Sequence, residues 1–150
     1  MSASASEDRL TLDQQVCFSL TLADRRVVAV YRPFLEPLGL THPQYLVMVA
    51  LWEHAPLPMR ELGRRLVLDS GTLSPLVRRL EAAGLVSREK GADERSLTVA
   101  LTPAGVALRE RARSVPGNVL RRLGLSDERL SALHEALNEV IEASNATRAE

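Results

Sequence analysis

The stretch 59-MRELGRRLVLDSGTLSPLVRRLEAAGLVSREKGADERSLTVAL-101 decides how this chain is read. Met59, Leu62 and Leu66 recur three and four residues apart with Arg60, Arg64 and Arg65 outside, which predicts a short amphipathic helix. Asp69 and Ser70 are N-cap candidates for a second helix, whose apolar face is Leu73, Leu76, Val77 and Leu80. Pro75 fits that helix only in or near its first turn, where few backbone N–H groups have an intrahelical partner. Gly84 is placed to end it. Residues 85–88 and 97–101 then read as two strands around the polar tip EKGADERS. Helix, turn, helix and hairpin make a winged helix-turn-helix, so the expected class is mainly α with a small β wing (α+β), the DNA-reading part spanning about 58–101.

Such a second helix fits the major groove of B-DNA, and a basic hairpin tip reaches the adjacent minor groove or backbone. The DNA-binding candidates are Ser70, Thr72, Ser74, Pro75, Arg78 and Arg79 on the helix and Arg88, Lys90, Asp93 and Arg95 on the wing. The competing reading is that these are the solvated faces of a small α+β domain. The order of elements, rather than any one arginine, favours DNA.

Charge agrees once it is divided along the chain. The 150 residues hold 19 basic and 19 acidic side chains. Residues 60–95 carry +2 and 96–123 carry +4, against −2 for 1–59 and −4 for 124–150. The positive potential is local and modest, which predicts salt-sensitive DNA binding with moderate nonspecific affinity. Only Lys90 among the basic residues is lysine; arginine suits bidentate contacts with guanine edges and phosphates, though genome composition explains the bias equally well.

Outside this stretch the chain reads as long helices. Residues 1–10 are small and polar, an expected disordered tail. Thr11 and Gln14 form a T-x-x-Q capping box, predicting a helix from Leu12 to about Glu36-Pro37. Thr41 and Gln44 form a second box, with Pro43 in the first turn of an apolar and therefore buried helix closed by Pro56 and Pro58. Thr102 caps another helix with a kink or break expected at Pro116-Gly117, and Ser126 opens the last, striped by Leu130, Leu133, Leu137, Val140 and Ile141. Segments 11–55 and 103–147 carry more apolar face than a small core consumes. They are expected to form a dimerisation domain, and a homodimer demands a pseudo-palindromic double-stranded operator.

No apolar run approaches membrane-spanning length and the N-terminus lacks a signal-like apolar region, so a cytoplasmic protein with no membrane partner is expected. A lone cysteine excludes an intramolecular disulfide, and no cluster of Cys, His and acids has zinc-ligand spacing. No metal or cofactor is read from the sequence.

The residues 66-LVLDSGTLSPLVRRLEAAGLVSR-88, followed by Asp93-Glu94-Arg95-Ser96 and 101-LTPAG-105, resemble the MarR family of dimeric winged-helix repressors. The resemblance implies a wing in which Asp93 braces an arginine, Arg95, directed at the minor groove. Further, 15-QVCF-18 and 31-YRPFLEPLGLTHPQYLVMVALWE-53 are similar to the branch of that family that senses organic hydroperoxides. That branch implies that Cys17 is the peroxide-reactive thiol, and the absence of a second cysteine implies a one-cysteine subtype. There the sulfenic acid is captured by a low-molecular-weight thiol or over-oxidised. A position near the helix N-terminus favours thiolate character. The bland reading makes Cys17 a buried small hydrophobe.

In the family the thiol is hydrogen-bonded by tyrosines of the partner subunit, and Tyr31 matches one of them. Two departures stand out: His42 occupies a tyrosine's place, and Thr21 another's. A histidine replaces a phenol's hydrogen bonding, or lowers the thiol pKa if cationic; otherwise it is an exposed loop residue. Phe18, Thr21, Tyr45 and Trp52 are the expected lining of a peroxide pocket. The expected function is a repressor released from DNA when Cys17 is oxidised. Two rivals remain open: a repressor induced by a non-covalent phenolic ligand with a structural Cys17, and a thiol peroxidase, against which stand the missing resolving cysteine and the DNA-reading module.

Overall fold

The computed structural model describes residues 9–91 and 96–148. It divides into two compact units, Met1–Val115 and Pro116–Glu150.

In the first unit, residues 12–14 form a 3-10 turn before α1 (Val16–Leu35). The Thr11 capping box does not form: the Thr11 side chain caps nothing, and Gln15 is the N-cap of α1. The Gln15 amide instead donates to the carbonyls of Arg9 (2.7 Å) and Thr11 (3.0 Å), which holds the chain in a tight turn and delays the helix by four residues. Of α1 only Leu35 is buried. A 3-10 turn and Gly39, at φ 71°, reverse the chain into α2 (His42–His54). The Thr41–Gln44 capping box is present, and Tyr45, Val47, Met48, Ala50 and Leu51 bury α2 as its composition requires.

β1 (Leu57–Pro58), α3 (Met59–Leu66), α4 (Ser70–Ala82), β2 (Val86–Lys90) and β3 (Leu97–Leu101) complete the winged helix-turn-helix. Asp69 is the N-cap of α4, accepting from the Thr72 N–H at 2.8 Å. The Leu85 N–H returns to Leu80 and the Gly84 N–H to Glu81 with Gly84 at φ 78°, a Schellman end that turns α4 sharply into β2. Pro75 is the sixth residue of α4, in the turn that follows the first. Among the described residues three strands rather than two form an antiparallel sheet ordered β1-β3-β2, with Leu57 opposite Val99 and Val86 opposite Leu101. Leu62, Leu73, Leu76, Val77, Leu80, Val86 and Val99 form the core beneath the recognition helix.

α5 (Pro103–Ala112) is capped by Thr102, whose Oγ1 accepts from Gly105 and donates to the Gly84 carbonyl at 2.6 Å. The helix ends at Ala112 with a turn at residues 113–114, ahead of Pro116. The expected break at Pro116-Gly117 is thus displaced: Pro116 sits second in α6 (Val115–Leu123), where its missing N–H costs no bond.

The second unit holds the rest of α6, Gly124 at φ 67°, and α7 (Asp127–Arg148). Ser126 caps α7, accepting from the Arg129 N–H at 3.2 Å. No residue of α7 is buried, and Leu133, Val140 and Ile141 are exposed. Among the described residues no helix is long and apolar enough to cross a membrane.

Candidate nucleic-acid interface and thiol site

The apolar side of α4 is consumed by the core, which leaves its polar side outward. Ser70, Thr72, Arg78 and Arg79 are exposed, while Ser74 and Pro75 are half-buried. Asp69 holds the Thr72 backbone, so the first turn presents a fixed edge to a groove. Arg78 and Arg79 form no ion pair among the described residues, so both charges are available to phosphates or base edges.

The wing candidates separate. Lys90 is exposed at the end of β2, opposite Leu97. Arg88 is not free: its guanidinium lies 3.0 Å from Glu81 Oε1, and its backbone N–H donates to Glu81 Oε2 at 3.2 Å. The pairing holds the Glu81 carboxyl below its ordinary range, chiefly through the hydrogen bond from Arg88. Asp93 and Arg95 lie outside the described residues.

Cys17 is the second residue of α1 and is exposed in the single chain. Its backbone is among the first N–H groups of the helix, which have no intrahelical acceptor. Phe18 beside it is half-buried and Thr21, one turn on, is exposed.

Toward the other end of α1, Tyr31, His42 and Tyr45 form one aromatic cluster. Tyr31 meets His42 edge-on with ring centroids 4.9 Å apart, and Tyr45 lies 5.8 Å from Tyr31 and 6.4 Å from His42. His42 is half-buried as the first residue of α2 rather than a loop residue. Burial pushes its pKa down, opposed in part by Asp24. Burial likewise pushes both tyrosines up, and Tyr45 is raised further by Tyr31. The cluster therefore brings two phenols and an imidazole together as hydrogen-bonding groups.

A cavity of about 290 Å³ beside the cluster is walled by Val28, Leu35, Leu40 and Pro43 with Arg32 and His42; Phe18, Thr21, Tyr45 and Trp52 do not line it. Trp52 is instead occupied, its indole N–H donating to the Gly105 carbonyl at 2.9 Å and tying α2 to α5. Sequence reasoning missed Arg32 and Glu81. The i, i+7 spacing of Glu81 and Arg88 across a turn carries no helical or strand signature.

The MarR family model matches residues 40–97, which hold α2 and most of the winged region. The chain is 40% identical over 136 residues to the organic hydroperoxide resistance transcriptional regulator of Bacillus subtilis (strain 168), covering 90% of this chain and 92% of that protein. It is 33% identical over 143 residues to the HTH-type transcriptional regulator MgrA of Staphylococcus aureus, covering 94% and 97%. Among solved structures it resembles reduced AbfR bound to DNA, a Staphylococcus epidermidis protein also solved overoxidised on DNA and in a disulfide-formed state. That match to the reduced form has TM-score 0.73 and 34% identity over 88% of this chain and 93% of that one. With a winged helix-turn-helix, an outward arginine pair on its recognition helix and these relatives, the chain belongs to the MarR family of DNA-binding transcriptional regulators.

Proposed function

We propose that the protein is a homodimeric repressor that senses organic hydroperoxides through Cys17 and then releases a pseudo-palindromic operator. The observation that carries the reading is the placement of the lone thiol, exposed at the second position of α1, on a chain with a 40% identical relative named for organic hydroperoxide resistance. The Cys17 sulfur attacks the terminal peroxide oxygen and the O–O bond breaks. The sulfur becomes a sulfenic acid and the alkoxide leaves as the alcohol after taking a proton. A low-molecular-weight thiol then condenses with the sulfenic acid, releasing water and leaving a mixed disulfide.

The sensor is a composite of two subunits. Cys17 and Tyr31 stand 14 residues apart on the continuous α1, roughly 21 Å along its axis, so they do not meet within one chain. Tyr31 and His42 of one subunit supply hydrogen bonds to Cys17 of the other. Support for a second copy comes from apolar surface that a monomer leaves wet: Val16, Leu20 and Leu22 on α1, and separately Leu133, Val140 and Ile141 on α7. Oxidation places a larger polar group in that interface and changes the spacing of the two recognition helices. About 1 kcal/mol lost at each of two half-sites weakens operator binding about thirtyfold.

Complementation tests the composite directly. In heterodimers of Cys17→Ser and Tyr31→Phe subunits, the one remaining thiol faces an intact Tyr31. Cumene hydroperoxide should oxidise that thiol at nearly the parental rate, and the Tyr31→Phe homodimer more slowly, read by mass spectrometry of the Cys17 peptide. Equal rates in heterodimer and Tyr31→Phe homodimer would remove Tyr31 from the sensor.

A further inference from the structure

Arg88 stands where a phosphate-binding arginine belongs, on the wing of a DNA reader, yet its hydrogen bonds run inward. Side chains alternate along β2: Val86 is buried and shares a face with Arg88, so Arg88 points with it toward α4. There Glu81, in the last turn of α4, receives both the guanidinium (Nη2 to Oε1, 3.0 Å; Nε to both oxygens, 3.3 Å) and the Arg88 backbone N–H (3.2 Å). The two side chains are 27% and 37% exposed, sheltered enough to hold one geometry. One carboxylate thus fixes both the side chain and the backbone of a wing strand. The fork of a guanidinium suits this; a lysine has one point of attachment.

The neighbouring cations differ. Arg78 and Arg79, earlier on the same helix, are exposed and without an ion pair among the described residues. Between the pair lies the Gly84 turn, so this contact adds a side-chain clasp to the backbone bonds of that turn and to the buried Val86 in setting the angle at which the wing leaves α4.

We propose that Arg88 is a positioning residue for DNA recognition: clasped by Glu81, it sets the wing against the recognition helix and does not itself ligate the DNA.

The test uses the full-length protein, an operator duplex selected from a randomised pool, and binding followed as a function of salt. Glu81→Gln separates the two roles by sign. If Arg88 acts through Glu81, losing the carboxylate loosens the wing and weakens operator binding on the order of tenfold. If Arg88 ligates phosphate, the same change frees a cation, removes a nearby negative charge and tightens binding. Glu81→Gln/Arg88→Met should bind like Glu81→Gln alone, with the parental salt slope. A phosphate contact at Arg88 would lower that slope by about 0.9. Circular dichroism at the assay temperature confirms that each variant is folded. Parental or tighter binding by folded Glu81→Gln, or a reduced slope in the double variant, would overturn the proposal.

Discussion

Gly105→Ala should destabilise the protein far more than its position in a helix suggests. Gly105 is buried where the start of α5 crosses the turn between α4 and β2. A methyl there falls well inside contact distance of the Leu85 carbonyl oxygen, 3.1 Å from the Leu85 carbonyl carbon and 3.3 Å from Leu101 Cδ2. Carbon–oxygen approaches settle at about 3.3 Å, so α5 or the 84–86 turn must move by about 1 Å. That shift works against three hydrogen bonds at once: Thr102 N–H to Leu85 (3.1 Å), Gly105 N–H to Thr102 (3.1 Å) and Trp52 to Gly105 (2.9 Å). Overpacking costs about 1–3 kcal/mol and each disturbed bond about 1 kcal/mol, while the helix propensity of alanine returns about 1 kcal/mol. The net is about 3–5 kcal/mol, a fall in Tm of about 6–20 °C. Thermal melts by circular dichroism measure it, and emission from Trp52, the one tryptophan, reports the loosened bond. Gly117→Ala is the control, since its methyl meets only Arg121 Nη1 at 3.8 Å. A Gly105→Ala protein melting within 2 °C of the parent would refute the idea that this crossing locks α5 to the winged region.

Three further outcomes are expected. Val67 sits exposed at φ 56°, a left-handed conformation that a β-branched residue resists, so Val67→Gly should raise stability by about 1 kcal/mol in urea melts despite glycine's greater unfolded freedom. His42 has a folded pKa below its unfolded value of about 6.5, so the unfolded chain takes up the proton first. Stability should therefore be full above about pH 6.5 and decline as pH falls through the folded pKa, and His42→Gln should flatten that part of the profile. Tyr31 and Tyr45 are the only tyrosines and both are pushed up by burial, so phenolate absorbance should rise at a midpoint above 10 in the native protein and near 10 when unfolded.

The winged helix-turn-helix was legible because its signals are local. Asp69 caps α4, Gly84 ends it, and the α4 face of Leu73, Leu76, Val77 and Leu80 is buried as its spacing requires. What escaped depends on partners distant in sequence or on competition between adjacent ones. β1 is two residues long and exists because Leu57 pairs with Val99, which no local pattern announces. Thr11 and Gln14 fit a capping box, but Gln15 took the turn's carbonyls and moved the helix start to Val16. The break after α5 came early because Pro116 is favourable inside a first turn, so it starts α6 instead of ending its predecessor. The meeting of Tyr31 with His42, the commitment of Trp52 to Gly105 and that of Arg88 to Glu81 join residues whose spacing carries no local pattern.

The most direct test of redox sensing is operator release by fluorescence anisotropy, titrating cumene hydroperoxide into the DNA complexes of the parent protein and Cys17→Ser in parallel. Release of the parent at near-stoichiometric peroxide, with Cys17→Ser remaining bound, is the predicted result. Equal release of both proteins, or release of neither, would contradict a Cys17 switch and leave a MarR regulator answering to another signal.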